Sequence, residues 1–244
     1  MNAPATVRIL GIPVHDATAD ETLDAVAAWV AGGGTHQIAT VNPEFVMAAR
    51  RDPAFRAVLE RTDLCVPDGV GITLAARYLG RPLRERVAGV DMVERLAARA
   101  ARDGWRLFLL GAAPGVAERA GEILAARHPG LAVCGAHAGS PAAELEDEIV
   151  GRVRAARADV LLVAYGAPAQ ELWLARNLAR SGAAVGIGVG GAFDYLTGVA
   201  RRAPAWVRRL GFEWLHRLIH QPWRWRRQLA LPLFALLVLL RRER

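Results

Sequence analysis

The sequence lacks lysine altogether and has only two cysteines among its 244 residues. Cys65 and Cys134 stand far apart with no CxxC pair, which excludes a disulfide scaffold and predicts a cytosolic compartment. The first residues, MNAPATVRIL, show none of the charged and apolar regions of a secretory signal, in line with that expectation. With 53% hydrophobic residues the chain is too apolar to be disordered, and it is long enough for one well-filled domain.

Motifs of several common enzyme classes are absent as well. The chain has no Walker lysine, no GxSxG elbow and no DxD motif, so it does not resemble a P-loop protein, a serine hydrolase or a magnesium-dependent nucleotide-sugar enzyme. His216 and His220 have the spacing of a zinc helix, but Arg217 stands where a metallohydrolase needs glutamate, and no third ligand is evident. We therefore predict neither a metal nor a cofactor.

The positive charge is concentrated at the carboxyl end. Residues 201–244 hold 11 arginines against two glutamates, whereas the first 200 residues hold 20 arginines against 22 acidic residues. The sequence thus divides into a near-neutral domain, 1–200, and a cationic appendage, 201–244, called the C-terminal segment below. In that segment Trp alternates with Arg in PWRWRRQ, and the apolar run LALPLFALLVLL follows at 229–240.

The apolar run is too short to cross a bilayer. Its 12 residues would span about 18 Å as a helix against roughly 30 Å of hydrocarbon, and Pro232 is expected to interrupt it. Trp rings, clustered Arg and a short leucine run predict instead a segment in the headgroup layer of an anionic membrane. Arg and aromatic residues also suit single-stranded nucleic acid, but the leucine-rich end argues against nucleic acid as a partner.

A helix drawn over 206–220 would gather Trp206, Leu210 and Trp214 on one apolar face. Arg217 falls inside this face. An arginine in such a position either has a specific anionic partner or extends past the apolar side chains to water.

Residues 7–200 alternate strand patterns with helical patterns, which is typical of repeated βα units around a mostly parallel sheet. The runs VRILG and IPVHDAT predict a small hairpin before the first helix, which begins at a capping box of Thr18 and Glu21. Further strands are predicted at 36–41, 64–67, 105–111, 131–135, 159–166 and 183–191. The sequence therefore predicts a Rossmann-like α/β fold with helices on both faces of the sheet.

Polar residues follow these strands, and in a parallel sheet such positions share the rim where ligands bind. Asp68 is a candidate general base, or else the N-cap of the next helix. Asn42 is likewise a candidate helix cap. Arg86 suits a phosphate or carboxylate, or else a solvated ion pair. Gln170 and Glu171 either bond sugar hydroxyls or cap a helix.

Gly186, Gly188 and Gly191 form a GxGxxG pattern at the end of a strand, where backbone N–H groups can bind a pyrophosphate. A dinucleotide site also needs an acidic residue about 20 residues further on, where this chain has its Arg- and Trp-rich segment. A nucleoside diphosphate therefore fits better than NAD. The run LLGAAPG at 109–115 predicts a second helix start with the same preference for anions.

Six ordered motifs span most of the chain. They are TVNPE at 40–44, VPDGVGI at 66–72, ERVAGVDM at 85–92, YGAPAQELW at 165–173, GVGGAFDYLTG at 188–198 and RRAPAWVRRLGFEWLHRLIHQPWRWRR at 201–227. Together they resemble the WecG/TagA/CpsF family of bacterial glycosyltransferases, glycosyltransferase family 26; residues 229–240 lie beyond these motifs. The resemblance implies an inverting, metal-independent transfer of a sugar from a UDP-sugar to a polyprenyl-diphosphate-linked sugar, at the inner face of the cytoplasmic membrane, in surface polysaccharide biosynthesis.

The resemblance also implies residue roles. Asp68 is the catalytic base, and Arg217, Arg224 and Arg227 bind the lipid diphosphate while the C-terminal segment docks on an anionic membrane. The substrate-binding residues are Thr40, Asn42, Arg86, Gln170, Gly190, Gly191 and Asp194. The donor stays open among N-acetylmannosamine, its uronic acid and a hexose, as does a homo-oligomeric state. The alternative is a non-enzymatic, membrane-associated nucleotide-binding or scaffold protein.

Overall fold

The computed structural model describes residues 4–204, 206–207, 212–220 and 225–240. Eight strands are present in the described residues: β1 Thr6–Ile9, β2 Ile12–His15, β3 His36–Val41, β4 Leu64–Pro67, β5 Arg106–Gly111, β6 Ala132–His137, β7 Val160–Ala164 and β8 Val185–Gly188. The α-helices whose bounds are described are α1 Ala19–Gly32, α2 Pro43–Ala49, α3 Pro53–Arg61, α4 Val70–Tyr78, α5 Gly89–Asp103, α6 Val116–Arg127, α7 Glu146–Ala156, α8 Ala169–Ser181, α9 Ala192–Thr197, α10 Glu213–His220, α11 Trp225–Gln228 and α12 Ala230–Leu240.

Six strands form one sheet in the order β4-β3-β8-β7-β5-β6, and every neighbouring pair is parallel. The inner strands are buried along almost their whole length, as expected for a parallel sheet covered on both sides. The bounds predicted for β3 and β4 match the structure, and the other four strands lie within or next to their predicted ranges. The prediction of a mostly parallel sheet is confirmed.

Helices cover both faces of this sheet. On β5, Leu107 packs into a core with α1, α5, α6 and α9, whereas the next residue, Phe108, packs into a core with α7 and α8. Alternate residues of a strand point to opposite faces, so the strand's continuous apolar run supplies both layers. A third core joins the hairpin, α2, α3 and α4 to one face of α12. The predicted α/β architecture is therefore confirmed.

The N-terminal hairpin, β1 with β2, lies beside the sheet edge formed by β4. The backbone N–H of Cys65 donates a hydrogen bond to Nδ1 of His15 at 2.8 Å. Burial lowers the pKa of His15, which favours the neutral ring that this hydrogen bond requires. The predicted capping box is also present, with Thr18 Oγ1 accepting from the N–H of Glu21 and the Glu21 carboxylate accepting from the N–H of Thr18.

The expected continuous helix over 206–220 is wrong. Phe212 is not helical, and its carbonyl accepts the first hydrogen bonds of α10, from the N–H groups of Leu215 and His216. The apolar face drawn over 206–220 is therefore interrupted at Phe212.

The leucine-rich run forms a single helix, α12, so the expectation that Pro232 interrupts it is wrong. Pro232 lies in the first turn, where the missing N–H would have no intrahelical acceptor. Phe234 and Val238 are 4% and 5% exposed and pack against α2 and α4, whereas Leu236 and Leu240 are exposed. Among the residues described, no helix is long and apolar enough to cross a membrane.

Candidate active site

A cavity of about 1090 Å³ opens at the carboxyl ends of β4, β3, β8 and β7. Its walls come from the loops after these strands, the start of α5 and the C-terminal segment. All eight residues of the sheet domain to which the family resemblance assigned catalysis or substrate binding line it: Thr40, Asn42, Asp68, Arg86, Gln170, Gly190, Gly191 and Asp194. The loop at 112–115, expected as a second anion site, is not among the described lining residues.

Asp68 is placed at the rim by the sheet itself. Its N–H donates to the carbonyl of Val41 at 2.8 Å, which extends the β3–β4 pairing by one residue. Helix α4 then begins at Val70 with Gly69 as its N-cap, at a φ of +87° and without a side-chain cap, so the alternative that Asp68 caps this helix is wrong. A β-carbon on Gly69 would lie 4.0 Å from Cβ of Asn42, which brings the two loops together.

Asn42 and Thr40 combine a structural contact with a position in the cavity wall. Oδ1 of Asn42 accepts from the N–H of Phe45 at 3.0 Å, which confirms the cap prediction and leaves its amide N–H donors for another partner. The Thr40 hydroxyl donates to the carbonyl of Gly188 at 3.2 Å and ties β3 to β8. Both side chains are thereby fixed in orientation before any ligand arrives.

The side chain of Gln170 holds two loops of the site together. Its Oε1 accepts from the N–H of Gly166 and from the N–H of Gly190, each at 3.0 Å, while its Nε2 donates to Oε1 of Glu171 at 2.7 Å. Glu171 is fully buried, and this burial raises its pKa to about 8. The expectation that Glu171 bonds sugar hydroxyls is not supported, since it is not among the described lining residues.

The glycine pattern has a packing cause. A β-carbon on Gly188 would lie 2.2 Å from Oε1 of Glu171, and one on Gly186 would lie 2.6 Å from Cδ2 of Leu174. A side chain at either position would therefore displace side chains of helix α8, which packs closely on β8. Of the glycines at 186–191, only Gly190 and Gly191 line the cavity, and the N–H of Gly190 already donates to Gln170.

An ion-pair network joins the rim to the C-terminal segment. Arg202 donates from both terminal nitrogens to the carboxylate of Asp91, at 2.7 and 2.8 Å, and its Nε lies 3.9 Å from Oε1 of Glu213. Oε2 of Glu213 lies 3.6 Å from Nη1 of Arg86. The sequence-based predictions missed Arg202 and Glu213. The available signal was that Glu213 is one of only two acidic residues in this arginine-rich segment.

The three arginines assigned to the lipid diphosphate are not tested by this geometry. Arg224 lies outside the described residues, and for Arg217 and Arg227 only the backbone, within α10 and α11, is described. Within the described part of the chain, no group of His, Cys, Asp and Glu side chains is arranged to hold a metal ion.

The fold and the cavity define an α/β protein whose ligand site lies where parallel strands end and is walled on one side by a cationic, partly apolar segment. The chain belongs to the WecG/TagA/CpsF family of glycosyl transferases, whose family model matches residues 7–244. That match includes α12. The protein is therefore a glycosyltransferase, and the non-enzymatic alternative is set aside.

Several similar curated proteins share the name N-acetylglucosaminyldiphosphoundecaprenol N-acetyl-beta-D-mannosaminyltransferase. The chain is similar to the one from Bacillus subtilis (strain 168), with 36% identity over 204 residues that cover 83% of this chain and 78% of the relative. It is similar to the one from Staphylococcus aureus (strain MW2), with 30% identity over 233 residues that cover 94% and 91% of the two chains.

Proposed function

We propose that this glycosyltransferase moves an N-acetylmannosamine-type sugar from UDP to a sugar linked to a polyprenyl diphosphate. The name that the relatives share supports both the sugar and the lipid-linked acceptor. The observation that carries the proposal is the cavity itself, because one wall holds a carboxylate, an arginine and backbone amides while the other is formed by apolar side chains of the C-terminal segment. An acceptor with a polar head and a hydrocarbon tail needs a polar wall for the head and an apolar wall for the tail.

Asp68 acts in this proposal as the general base. Its carboxylate takes the proton of the acceptor hydroxyl while the hydroxyl oxygen attacks the anomeric carbon of the donor sugar. The bond between that carbon and the β-phosphate oxygen breaks, and UDP leaves with the electron pair. This single displacement inverts the configuration at the anomeric carbon.

The leaving diphosphate needs positive charge, and the start of α5 offers some of it. Ala88, the N-cap of this helix, provides no side-chain cap, and Gly89 and Val90 line the cavity. Backbone N–H groups at such a helix start attract phosphate, and Arg86 adds a fixed cation beside them. We propose that Arg86 binds the donor diphosphate there.

Further cations are required because the described lining is acidic. Four acidic residues, Glu44, Asp68, Asp194 and Glu213, face only two arginines, Arg86 and Arg202. Two diphosphates, one on the donor and one on the acceptor, would be repelled by that balance. We propose that Arg217, Arg224 and Arg227 supply the missing charge in place of a metal ion.

We further propose that the C-terminal segment docks on an anionic membrane surface. Large apolar side chains of this segment are exposed, among them Trp206 at 65%, Ile219 at 69% and Leu240 at 72%. Such side chains enter the headgroup boundary, and each nearby arginine adds about 1 kcal/mol of attraction to anionic lipid. The lipid-linked acceptor would be reached from that surface.

A donor screen tests the function. The full chain is incubated with vesicles that contain a polyprenyl-diphosphate-linked N-acetylglucosamine and with UDP-N-acetylmannosamine, its uronic acid or UDP-glucose in turn. We expect UDP release and a lipid product larger by one sugar, fastest with N-acetylmannosamine and unchanged by EDTA. Absence of product with every donor would overturn the proposed function, and loss of activity in EDTA would overturn metal independence.

A further inference from the structure

The cavity has an apolar arm between α4 and α12. Leu74, Ala75 and Tyr78 of α4 line one side, and Ala235, Val238 and Leu239 of α12 line the other. The part of the cavity that these six residues line is called the apolar arm, and none of the six carries a charge. Leu74 is 58% exposed and Leu239 is 56% exposed, so the walls of the arm leave apolar surface uncovered.

The arm runs outward from the reacting end of the cavity. Near the start of α4, a β-carbon on Gly71 would lie 3.9 Å from Cε1 of Phe234. At the last residue of α4, the Tyr78 hydroxyl donates to the carbonyl of Leu239 at 3.4 Å. Helix α12 therefore follows α4 from its first turn to its last, over roughly 12 Å. Since α4 begins two residues after Asp68, the inner end of the arm adjoins the proposed base.

The composition of α12 indicates what the arm holds. None of the 11 residues of α12 is charged or polar, and a helix that is apolar all round needs apolar cover on every side. Phe234 and Val238 receive that cover from α2 and α4, but the side that faces the cavity, with Ala235, does not. An occupant of this side must be apolar, and the inner end of the arm places it beside the polar part of the cavity near Asp68.

We propose that the apolar arm binds the isoprenyl units closest to the diphosphate of the acceptor. This inference rests on the proposed function and deepens it, because it assigns part of the lipid chain to the protein and leaves only the remainder in the bilayer. The acceptor sugar and diphosphate fill the polar part of the cavity, and the chain leaves along α4. Acceptor recognition then includes the hydrocarbon as well as the head group.

The test uses water-soluble acceptors without any membrane. The same sugar diphosphate is prepared with a methyl group or with one, two or three isoprenyl units, and is assayed below the concentration at which it forms micelles. Since each buried methylene contributes to affinity, we expect the acceptor KM to fall by about tenfold or more from the methyl compound to the two-unit compound. A KM that does not depend on chain length would overturn the arm while leaving the proposed function intact.

Two variants fill the arm from opposite walls. Leu74→Trp and Ala235→Trp are expected to raise the KM of the isoprenyl acceptors toward that of the methyl compound. Leu236→Trp is the matched control, because Leu236 lies on the same helix, is 52% exposed and does not line the cavity. Chain-length dependence that survives in both arm variants would overturn the inference. If the wild-type chain transfers sugar to no acceptor of any length, the proposed function fails and the arm fails with it.

Discussion

At the scale of single residues, the site depends on which polar groups the fold uses for itself. Gly69 takes the N-cap of α4, so the carboxylate of Asp68 is not used to begin that helix. Gln170 does the opposite, since its Oε1 is shared between the N–H groups of Gly166 and Gly190. Gln170 is therefore suited to fix the loops around the donor, whereas the role proposed for Asp68 is to move a proton.

Asp68→Asn tests the base directly. The amide cannot take a proton from the acceptor hydroxyl, so we expect kcat to fall by about 10²–10⁴-fold. Calorimetry with the UDP-sugar should show a donor Kd close to that of the wild type. The control is Asp20→Asn, whose side chain is 86% exposed and does not line the cavity. A wild-type rate in Asp68→Asn would exclude the general-base role.

Glu171→Gln tests the buried carboxyl through pH. Burial raises the pKa of Glu171 to about 8 from an ordinary value of 4.5. Between these values the folded chain binds a proton that the unfolded chain has released, so stability falls as pH rises through this window. We expect this fall in the free energy of unfolding, roughly a few kcal/mol at most, to be absent in Glu171→Gln.

Urea unfolding at about pH 5 and about pH 8.5 measures that difference. Glu122→Gln is the control, since Glu122 is 65% exposed. Equal pH slopes for the wild type and Glu171→Gln would show that the carboxyl is not held protonated by the fold.

At the scale of elements, the C-terminal segment is attached to the rim by charge and by packing. Arg202 and Glu213 tie it to Asp91 and Arg86, and Phe234 anchors α12 in the core beside α2. The ion pairs lie in the cavity wall, so a ligand phosphate at Arg86 would compete with Glu213 for the same guanidinium. If Arg86 binds the diphosphate as proposed, attachment of α10 and diphosphate binding are coupled.

Arg202→Ala should loosen this attachment. It leaves Asp91 without a two-pronged partner, and we expect a loss of about 1–3 kcal/mol in the free energy of unfolding. Limited proteolysis followed by mass spectrometry should show faster cleavage around 201–204. Arg201→Ala is the matched control, because the neighbouring Arg201 is exposed. Equal cleavage rates in the two variants would contradict the role of the ion pair.

The elements that sequence could predict are those specified by local pattern. The apolar runs of β3 and β4 and the capping box of Thr18 gave correct bounds because their causes lie within a few residues. The shared rim was also predictable, since parallel strand ends must meet there. The hydrogen bonds from Gly166 and Gly190 to Gln170, and the ion pair of Arg86 with Glu213, could not be predicted from the sequence. They depend on loop geometry and on contacts between residues far apart in the chain.

At the scale of the whole molecule, the proposed reaction brings a water-soluble donor to a lipid-linked acceptor. The near-neutral sheet domain provides the rim, and the C-terminal segment carries 11 arginines and exposed apolar side chains. Attraction to an anionic surface acts over about a Debye length, which is roughly 10 Å at 0.1 M salt. Association with the membrane should therefore combine a salt-sensitive approach with apolar insertion.

Vesicle sedimentation tests this combination. We expect binding to vesicles with anionic lipid to weaken several-fold between about 0.05 M and about 0.5 M salt, because screening reduces the arginine contribution. Binding to neutral vesicles should be weaker and insensitive to salt. A variant with Arg241, Arg242 and Arg244 changed to Gln should shift the salt midpoint downward. Equal binding to both vesicle types would exclude the electrostatic part of docking.

Two of the six strands of the sheet contribute no described residue to the cavity lining. Strands β5 and β6 end at the same rim as the others, yet among the described residues none that follows them lines the cavity. Ala113, in the exposed loop after β5, is therefore a suitable handle: a cysteine placed there could carry a fluorophore or a surface linker. Cys65 is buried, so only Cys134 would need replacement. Single enzymes could then be held in a known orientation while they meet a supported bilayer.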